Sequence, residues 1–410
     1  MNPKHFGLII AKLRKQHRMT QETLAKKLNV SSKAVSKWET GMGFPEITLL
    51  PKIASVFGVS VDFLLTGDRK GITVAGNIIL DLIKQVECYP KPGMLSNITS
   101  VSKGIGGCAP NVSMDLARID PSLPLSVLGC IGDDEYGRYL LAQLRRCNID
   151  VSGISINDQA PTSFTDVMSQ PDGERTFLHA RGANALFSPA DIDIPALNCH
   201  ILHIGYILLL DSFDREDPEY GTVMARFLAQ VQSMGIKTSI DAVSDSTGDF
   251  SKTIVPALKY CDYVIINEIE CCSIWGLDPR NTDGSLNVAA LRQAMEKVMA
   301  CGVSEKVIVH SKECGFCLSS DGQWSMVPSL ALPKKLLKGS VGAGDAYCAG
   351  CLYGIYHEYP DREILEFASA AAACNLFSEK AVDGMRSRQE ILQLMKQYPR
   401  QPLPETPNQI

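Results

Sequence analysis

Long apolar runs are missing from this 410-residue sequence, and none reaches the ~18 residues that a membrane-spanning helix needs. The N-terminus begins Met-Asn-Pro-Lys-His and continues as an amphipathic helix, so it also lacks the pattern of a secretory signal peptide. We therefore expect a cytoplasmic protein with no membrane partner. Its fourteen cysteines are then expected to be reduced thiols.

A zinc-ribbon spacing is missing as well. The chain has two Cys-x-x-Cys pairs, Cys314 with Cys317 and Cys348 with Cys351. The gap between the pairs is wider than the roughly 15–20 residues that a zinc ribbon uses. The second pair also lies in an apolar stretch that is expected to form a buried helix. We interpret all four cysteines as buried thiols in preference to metal ligands.

The charge is unevenly distributed along the chain. Residues 1–67 carry ten Lys/Arg and four Asp/Glu, a net charge of +6, whereas the remaining residues carry 30 and 41, a net charge of −11. A chain of this length exceeds one ordinary core, so two or three domains are expected. A basic unit on an acidic body indicates nucleic-acid binding at one end of the chain.

The basic N-terminal unit is predicted to form five short helices. The second and third, in QETLAKKL and KAVSKWET, are joined by about four residues, which is helix-turn-helix spacing. We expect Thr20 and Ser32 to cap these two helices. The third helix would present short polar and cationic side chains to base edges and phosphates, and the second helix would add one phosphate contact. The candidate DNA-binding residues are Gln21, Ser32, Lys33, Ser36 and Lys37.

The stretch MTQETLAKKLNVSSKAVSKWETGMGFPEITLLPKIASVFGVSVDFLL resembles the phage-repressor (XRE) helix-turn-helix family. The resemblance covers residues 6–67 and implies an all-α DNA-binding domain over residues 1–67, which in this family usually binds paired half-sites as a dimer. The alternative is a small helical bundle whose lysines are only solvated. Residues 68–72 are expected to be a short linker.

From residue 72 onward, short β-rich runs such as KTSIDAV, YVIINE and KVIVHS alternate with helical stretches such as EYGRYLLAQLRRCN. This alternation predicts an α/β fold in which a mainly parallel sheet carries helices on both faces. Ligands of such folds bind beyond the carboxyl ends of the strands. The proline-rich residues 397–410 are expected to form a disordered tail.

Four segments at predicted strand ends or helix starts stand out. They hold Asp81; Gly104, Gly106, Gly107 and Asn111; Asn267 and Glu270; and Asp345 within KGSVGAGDAYCAG. Each has an ordinary structural explanation as a turn or a helix cap. Their occurrence in this order on one α/β chain favours a ligand site instead. The glycines before the last apolar helix predict an anion site at its positive end, where a carboxylate is unexpected.

These segments resemble the signatures of the ribokinase-like (PfkB) family of sugar and nucleoside kinases, from about residue 72 to about residue 395. The matching stretches are GGCAPNVSMDLARI with VLGCIGDDEYG, GAGDAYCAG, Asn-x-x-Glu at Asn267 to Glu270, and GAN at Gly182 to Asn184. The resemblance implies a three-layer α/β/α domain over residues 73–396. It also implies a small β lid at about residues 160–184, built around a turn at QPDGE.

The resemblance implies phosphoryl transfer from ATP to a hydroxyl, with Mg²⁺ as cofactor. Asp345 would take the proton of the acceptor hydroxyl, and the N–H groups of Ala343, Gly344 and Asp345 would bind the phosphoryl group. The implied catalytic residues are thus Gly342, Ala343, Gly344 and Asp345, and the implied acceptor-binding residues are Asp81, Gly106, Gly107 and Asn111. The implied nucleotide-binding residues are Asn267, Lys312, Gly315, Gly342 and Gly344, and Asn267 with Glu270 would hold Mg²⁺ through water.

The lid would exclude water from the acceptor, and in relatives it often supplies a dimer contact, so a homodimer is expected. Two short segments depart from the family pattern. Gly339 and Ser340 replace the Asp-Thr that is associated with a monovalent-cation site, which puts potassium activation in doubt. In VIVHSKECG, His310, Ser311 and Lys312 replace a usual nucleotide-lining motif; either the loop keeps its backbone contacts or Lys312 binds an ATP phosphate.

Three functions remain open from the sequence. The first is an active sugar or nucleoside kinase that also binds specific DNA as a transcriptional regulator. The second is a transcription factor whose kinase-like domain is weakly active or inactive and senses a sugar. The third is a kinase whose helical domain serves assembly. The intact Asp345, Asn267 and Glu270 favour the first over the second, and the polar face of the third helix favours it over the third.

Overall fold

The computed structural model describes residues 2–170, 174–243, 250–378 and 380–404. The chain divides into two compact units. One contains Met1–Gly71 with Ile192–His200 and Gln230–Ile236, and the other contains Ile72–Asp191, Ile201–Ala229 and Lys237–Ile410. Within the described part of the chain, no helix has both the length and the apolar character needed to cross a membrane.

The N-terminal part of the first unit contains five α-helices: α1 Pro3–Gln16, α2 Gln21–Leu28, α3 Ser32–Glu39, α4 Leu50–Phe57 and α5 Val61–Thr66. As predicted, Thr20 caps α2 by accepting a hydrogen bond from the backbone N–H of Thr23. The cap of α3 is Ser31 and not Ser32, which is the first helical residue. Asn29 ends α2 in the left-handed conformation, at φ 59°. The turn is therefore tight and joins the two helices at helix-turn-helix spacing.

One hydrophobic core holds these helices together, and it includes Phe6, Ile10, Leu24, Leu28, Val35, Trp38, Ile53, Phe57 and Leu64. A hydrogen-bonded charged network formed by Arg14, Gln21 and Glu39 adds to this core. Arg14 Nε donates to Glu39 Oε1 at 2.6 Å, and the Gln21 amide donates to Glu39 Oε2 at 2.8 Å. This network ties α1, α2 and the end of α3 into one rigid group.

The expected linker, residues 68–72, is held in place by a buried side chain. Arg69 is only 7 % exposed, and its guanidinium donates to the carbonyl oxygens of Leu197 and Met234, which belong to the same compact unit. A buried guanidinium needs such acceptors, because an unpaired buried charge is costly. The first strand then begins directly at Ile72.

The strands of the structure are β1 Ile72–Gly76, β2 Ile79–Val86, β3 Ile98–Gly106, β4 Leu125–Gly132, β5 Ile154–Asn157, β6 Phe164–Ser169, β7 Arg175–Ala180, β8 Ile201–Ile207, β9 Glu216–Asp217, β10 Gly221–Thr222, β11 Lys237–Ala242, β12 Tyr263–Asn267, β13 Lys306–His310, β14 Cys314–Ser319 and β15 Trp324–Pro328. The helices after residue 71 are α6 Cys108–Ile119, α7 Glu135–Arg146, α8 Val223–Ser233, α9 Phe250–Leu258, α10 Glu268–Ser273, α11 Val288–Ala300, α12 Ala343–Tyr356, α13 Asp361–Asn375 and α14 Arg388–Gln397.

The main sheet has nine strands in the order β15-β14-β13-β12-β11-β8-β1-β4-β5. The strands from β5 to β13 are parallel, and β14 and β15 are antiparallel at one edge. Both faces of the sheet are covered. In β12, Tyr263 and Ile265 join the core that contains α6, α12 and α13, whereas Val264 and Ile266 are buried outside that core. The mainly parallel sheet with helices on both faces is as predicted.

A separate four-stranded sheet has the order β3-β2-β6-β7. The expected lid at residues 160–184 is therefore only half of this sheet, because β2 and β3 come from residues 79–106. Asp81 does not follow the first strand. It lies inside β2, since the chain leaves the main sheet at Gly76 and enters the small sheet at Ile79. The predicted turn at QPDGE includes residues 171–173, which lie outside the described residues.

The expected disordered tail, residues 397–410, is paired as far as Gln401. The N–H of Ala331 donates to the Pro399 carbonyl, and the N–H of Gln401 donates to the Ser329 carbonyl, both at 2.8 Å. These bonds satisfy backbone groups that follow β15, which is why the proline-rich segment is held in place. Residues 405–410 lie outside the described residues.

Candidate active site and DNA-binding surface

Asp345 lies in the first turn of α12, three residues after a glycine turn. Gly342 precedes the helix in the left-handed conformation, at φ 75°, and a Cβ at this position would lie 2.4 Å from the Ala381 carbonyl oxygen. Only glycine fits this turn. The carboxylate of Asp345 is thereby placed at the positive end of a buried helix, where it is 7 % exposed.

Two side chains from other elements hold this carboxylate. Asn111, in α6, donates its amide to Asp345 Oδ2 at 2.8 Å, and the Tyr206 hydroxyl lies 3.2 Å from both carboxylate oxygens. Burial raises the pKa of the Asp345 carboxyl to about 7, and the hydrogen bonds from Asn111 and Tyr206 act in the opposite direction. The group is therefore tuned to exchange a proton near neutral pH.

Tyr206 is a site residue that the sequence analysis missed. It lies in β8 with a left-handed backbone, at φ 61°, which is strained for a residue with a side chain. Its N–H donates to a carboxylate oxygen of Asp241 in the neighbouring strand β11, and this bond keeps the conformation in place. Tyr206 lies within the apolar run ILHIGYILLL, where a polar side chain near the end of a β-rich run is the available signal.

The anion site differs in detail from the expectation. The N–H of Ala343 donates to the Ser340 carbonyl at 3.2 Å, so it is engaged inside the turn. The N–H groups of Gly344 and Asp345 have no acceptor in the part of the chain that the structure describes. Two of the three expected donors therefore remain for an anion at this helix start.

Among the predicted acceptor-binding residues, Asn111 contacts Asp345 directly. Gly106, at the end of β3, faces Asp81 so closely that a Cβ would lie 2.6 Å from its carboxylate. Gly107 precedes α6, and Asn111 follows within the same helix. Asn111 departs from the expectation, because its amide nitrogen binds Asp345. Its Oδ1 is buried without a partner among the described residues and is the atom left for an acceptor hydroxyl.

A cavity of about 270 Å³ opens beside Asp345, and Asn267 and Glu270 line it together with His310, Tyr206 and Asp241. Asn267 caps α10, with its backbone and side-chain N–H groups donating to Glu270 at 3.0 and 2.7 Å. Both Glu270 oxygens are thus engaged by hydrogen bonds while the carboxylate faces the cavity. This donor set fits Mg²⁺ held through its water shell, the mode that this ion favours.

A second cavity, of about 540 Å³, shares Gly344 and His310 with the first. Its wall is largely apolar and also contains Lys312, whose side chain is 80 % exposed and lies 3.7 Å from Glu313. Burial lowers the pKa of His310 to about 4, so this ring is neutral at pH 7. The cavity has the size and mixed lining of a nucleotide site.

Gly315 has a different place from the one expected for a nucleotide-binding residue. Gly315 does not line the second cavity; a Cβ there would lie 2.0 Å from the Tyr347 hydroxyl, so it makes room for that ring. Gly339 offers no side chain, and its neighbour Ser340 lines the second cavity.

Four of the candidate DNA-binding residues are spaced to share one face of α3. Ser32, Lys33 and Lys37 of α3 are exposed, and Ser36 is half-buried. Gln21 is half-buried as well, and its amide is bound to Glu39. A phosphate contact by Gln21 would therefore have to share or replace that bond.

Comparisons with known proteins match two consecutive parts of the chain to two different families. The model of the pfkB family of carbohydrate kinases matches residues 69–388, and a helix-turn-helix model matches residues 10–64. The chain belongs to the pfkB family of carbohydrate kinases, and it carries an N-terminal helix-turn-helix domain of the XRE type.

Several kinases are similar to this chain. A 5-dehydro-2-deoxygluconokinase of Geobacillus kaustophilus is 24 % identical over 307 residues, covering 72 % of this chain and 86 % of its own. The solved ribokinase of Thermotoga maritima has a TM-score of 0.66 at 19 % identity, covering 80 % of this chain and 99 % of its own. Ribokinase of Arabidopsis thaliana, solved with ribose and ATP, has a TM-score of 0.65 at 21 % identity over the same shares. The predicted ribokinase-like fold is confirmed.

Replacing Tyr206 with Phe tests its effect on Asp345. The hydroxyl stabilises the charged carboxylate, so its loss should raise the Asp345 pKa and move the acidic limb of the pH profile about 1 unit toward higher pH. The measurement is kcat/KM for ADP release against pH, with Tyr260→Phe as a control away from the site. A lower rate with an unmoved acidic limb would show that Tyr206 does not act on this carboxylate.

Proposed function

We propose that this protein transfers the terminal phosphoryl group of ATP to a hydroxyl of a sugar or nucleoside, and that its N-terminal domain binds specific DNA as a transcriptional regulator. The observation that carries the kinase half is the Asp345 carboxylate, held by Asn111 and Tyr206 at a helix N-terminus with two N–H donors. This arrangement offers a proton acceptor and an anion site at one point in space.

The proposed chemistry follows from these groups. The Asp345 carboxylate accepts the proton of the acceptor hydroxyl as that oxygen attacks the phosphoryl group. Asn111 and Tyr206 keep the carboxylate aimed and partly ionised, and the N–H groups of Gly344 and Asp345 bind the negative phosphoryl oxygens. When bound, Mg²⁺ neutralises phosphate charge, and Asn267 with Glu270 would hold it through water.

The acceptor and the nucleotide are proposed to bind on opposite sides of Asp345. Asp81 and Gly106 of the small sheet are proposed to bind the hydroxyls of a polyol together with Gly107 and Asn111 at the start of α6. The relatives are named as ribokinases, fructokinases and 5-dehydro-2-deoxygluconokinases, which supports a sugar as the acceptor. The adenine of ATP would occupy the larger, apolar-walled cavity near His310 and Lys312.

An ADP-release screen over sugars and nucleosides tests the kinase. At least one acceptor should give turnover, and Asp345→Ala should reduce it by about 10²–10⁴-fold, since a positioned base contributes this much. Asp158→Ala, at an exposed position, is the matched control. A sensor without kinase activity predicts instead that no acceptor releases ADP while a sugar still changes DNA affinity. Full turnover by Asp345→Ala would refute the assignment of the base.

The DNA-binding half rests on the helix-turn-helix domain and its +6 charge over residues 1–67. Changing Lys33 and Lys37 together to Ala should weaken DNA binding and reduce the slope of log K against log salt by about 2, because two phosphate contacts are lost. The control is Lys91→Ala with Lys396→Ala, which removes the same charge from exposed positions elsewhere. If the parent protein binds no DNA at low salt, the proposed regulatory role is wrong.

A homodimer is proposed to form through the small sheet. Both of its edge strands are exposed, and they carry large apolar side chains at Val101, 63 % exposed, and Phe177, 57 % exposed. An exposed apolar strand edge in a soluble protein is usually covered by a partner. Val101→Asp with Phe177→Asp should shift the sedimentation coefficient to that of a monomer, and Ile156→Asp should not. A parent protein that sediments as a monomer would contradict the proposal.

A further inference from the structure

A buried cluster behind Asp345 joins three residues that are far apart in the sequence. His203 in β8, Asp241 in β11 and Cys348 in α12 each offer one ligand atom, and these atoms all lie within 4.8 Å of one another. His203 is fully buried, Asp241 is 7 % exposed and Cys348 is 3 % exposed. None of the three has a direct role in the proposed kinase chemistry, although Asp241 accepts the backbone N–H of Tyr206.

Two of the three distances in this cluster match those of a tetrahedral zinc centre. His203 Nε2 lies 3.3 Å from Asp241 Oδ2 and 3.5 Å from Cys348 Sγ. A tetrahedral ion with Zn–N and Zn–O bonds of about 2.0 Å and a Zn–S bond of about 2.3 Å separates its ligands by about 3.3 Å for N and O and about 3.5 Å for N and S. The third pair, the Asp241 oxygen and Cys348 Sγ, lies within 4.8 Å.

The surroundings of the cluster are those of a metal site. His203 Nδ1 is 3.0 Å from Ser239 Oγ, so the ring is oriented from behind while Nε2 faces the other ligands. Asp241 and Cys348 both line the cavity beside Asp345, which gives an ion a path and an open fourth position. One carboxylate and one thiolate balance the charge of a divalent cation.

We propose that His203, Asp241 and Cys348 bind one divalent transition metal of the zinc class, at a site separate from the Mg²⁺ position near Glu270. The mixed nitrogen, oxygen and sulfur set selects such ions over Mg²⁺, which prefers oxygen ligands alone. Burial raises the pKa of the Cys348 thiol, so the ion displaces a proton when it binds. The CxxC spacing of Cys348 and Cys351 plays no part in this site.

A consequence for turnover rests on the proposed function. Asp241 also accepts the N–H of Tyr206, whose hydroxyl contacts Asp345. A dication bound to Asp241 would compete with the Tyr206 N–H for that carboxylate and so disturb the backbone that positions the Tyr206 hydroxyl on Asp345. Zinc is therefore expected to inhibit the kinase even when Mg²⁺ is saturating.

Cobalt titration of the full chain, without ATP or sugar, tests the site directly. The Cys88→Ser protein is used as the parent, because Cys88 is an exposed thiol. One equivalent of Co²⁺ should produce a thiolate-to-cobalt charge-transfer band, and one equivalent of Zn²⁺ should remove it. Cys348→Ser should abolish the band, and His203→Gln should weaken Co²⁺ binding at least tenfold. Cys351→Ser, one turn further along the same buried helix, should retain the full band.

Each result decides the proposal independently of kinase activity. No band in the parent, or a band that survives Cys348→Ser, would overturn the site. If Cys348→Ser does not fold, as judged by circular dichroism, Asp241→Asn replaces it. The parent should then gain thermal stability with Zn²⁺, and that variant should lose at least half of the gain; an equal gain would overturn the site. With the site established, zinc inhibition of ADP release that Cys348→Ser relieves would support the regulatory consequence.

Discussion

The burial of one carboxylate at the start of a helix is the constraint on which the site depends. Asp345 loses hydration there, and the structure compensates with an amide from α6, a hydroxyl from β8 and the positive end of α12. Because α6, β8 and α12 all contribute to the contacts of the Asp345 carboxylate, this polar contact constrains how the two helices and the strand pack together. Burial raises the pKa of this carboxyl to about 7 against the lowering effect of the two hydrogen bonds, so the group can accept a proton near pH 7.

Small residues make this meeting possible. α12 is buried along nearly all its length, and at Gly350 a Cβ would lie 2.6 Å from the Cα of Ala368 in α13. Close backbone approach of this kind leaves no space for side chains and packs the helices at short distance. The helix that carries Asp345 is therefore rigid from its first turn onward. A rigid helix keeps the Asp345 carboxylate and the N–H groups at the start of α12 at a fixed distance and orientation.

The two domains are stabilised by different kinds of contact. The helix-turn-helix domain depends on contacts that are short in sequence, on caps such as Thr20 and on a core from five neighbouring helices. Its proposed DNA-binding residues lie mostly on an exposed face of α3. The kinase domain depends on strands ordered out of sequence and places its chemistry in clefts at their carboxyl ends. The +6 and −11 charges reflect this division, since only one part is expected to meet a polyanion.

The sequence by itself determined what a local pattern can encode. This includes the five N-terminal helices, the alternation of strands and helices, and the glycine turn before α12, the helix whose first turn holds Asp345. Only the tertiary structure decided the partners of that carboxylate, because Asn111 and Tyr206 are separated from it by 234 and 139 residues. It also decided that the small sheet takes half its strands from residues 79–106, and that Cys348 meets His203 across 145 residues. Periodicity and spacing report neighbours along the chain, whereas these contacts arise from the order in which strands assemble.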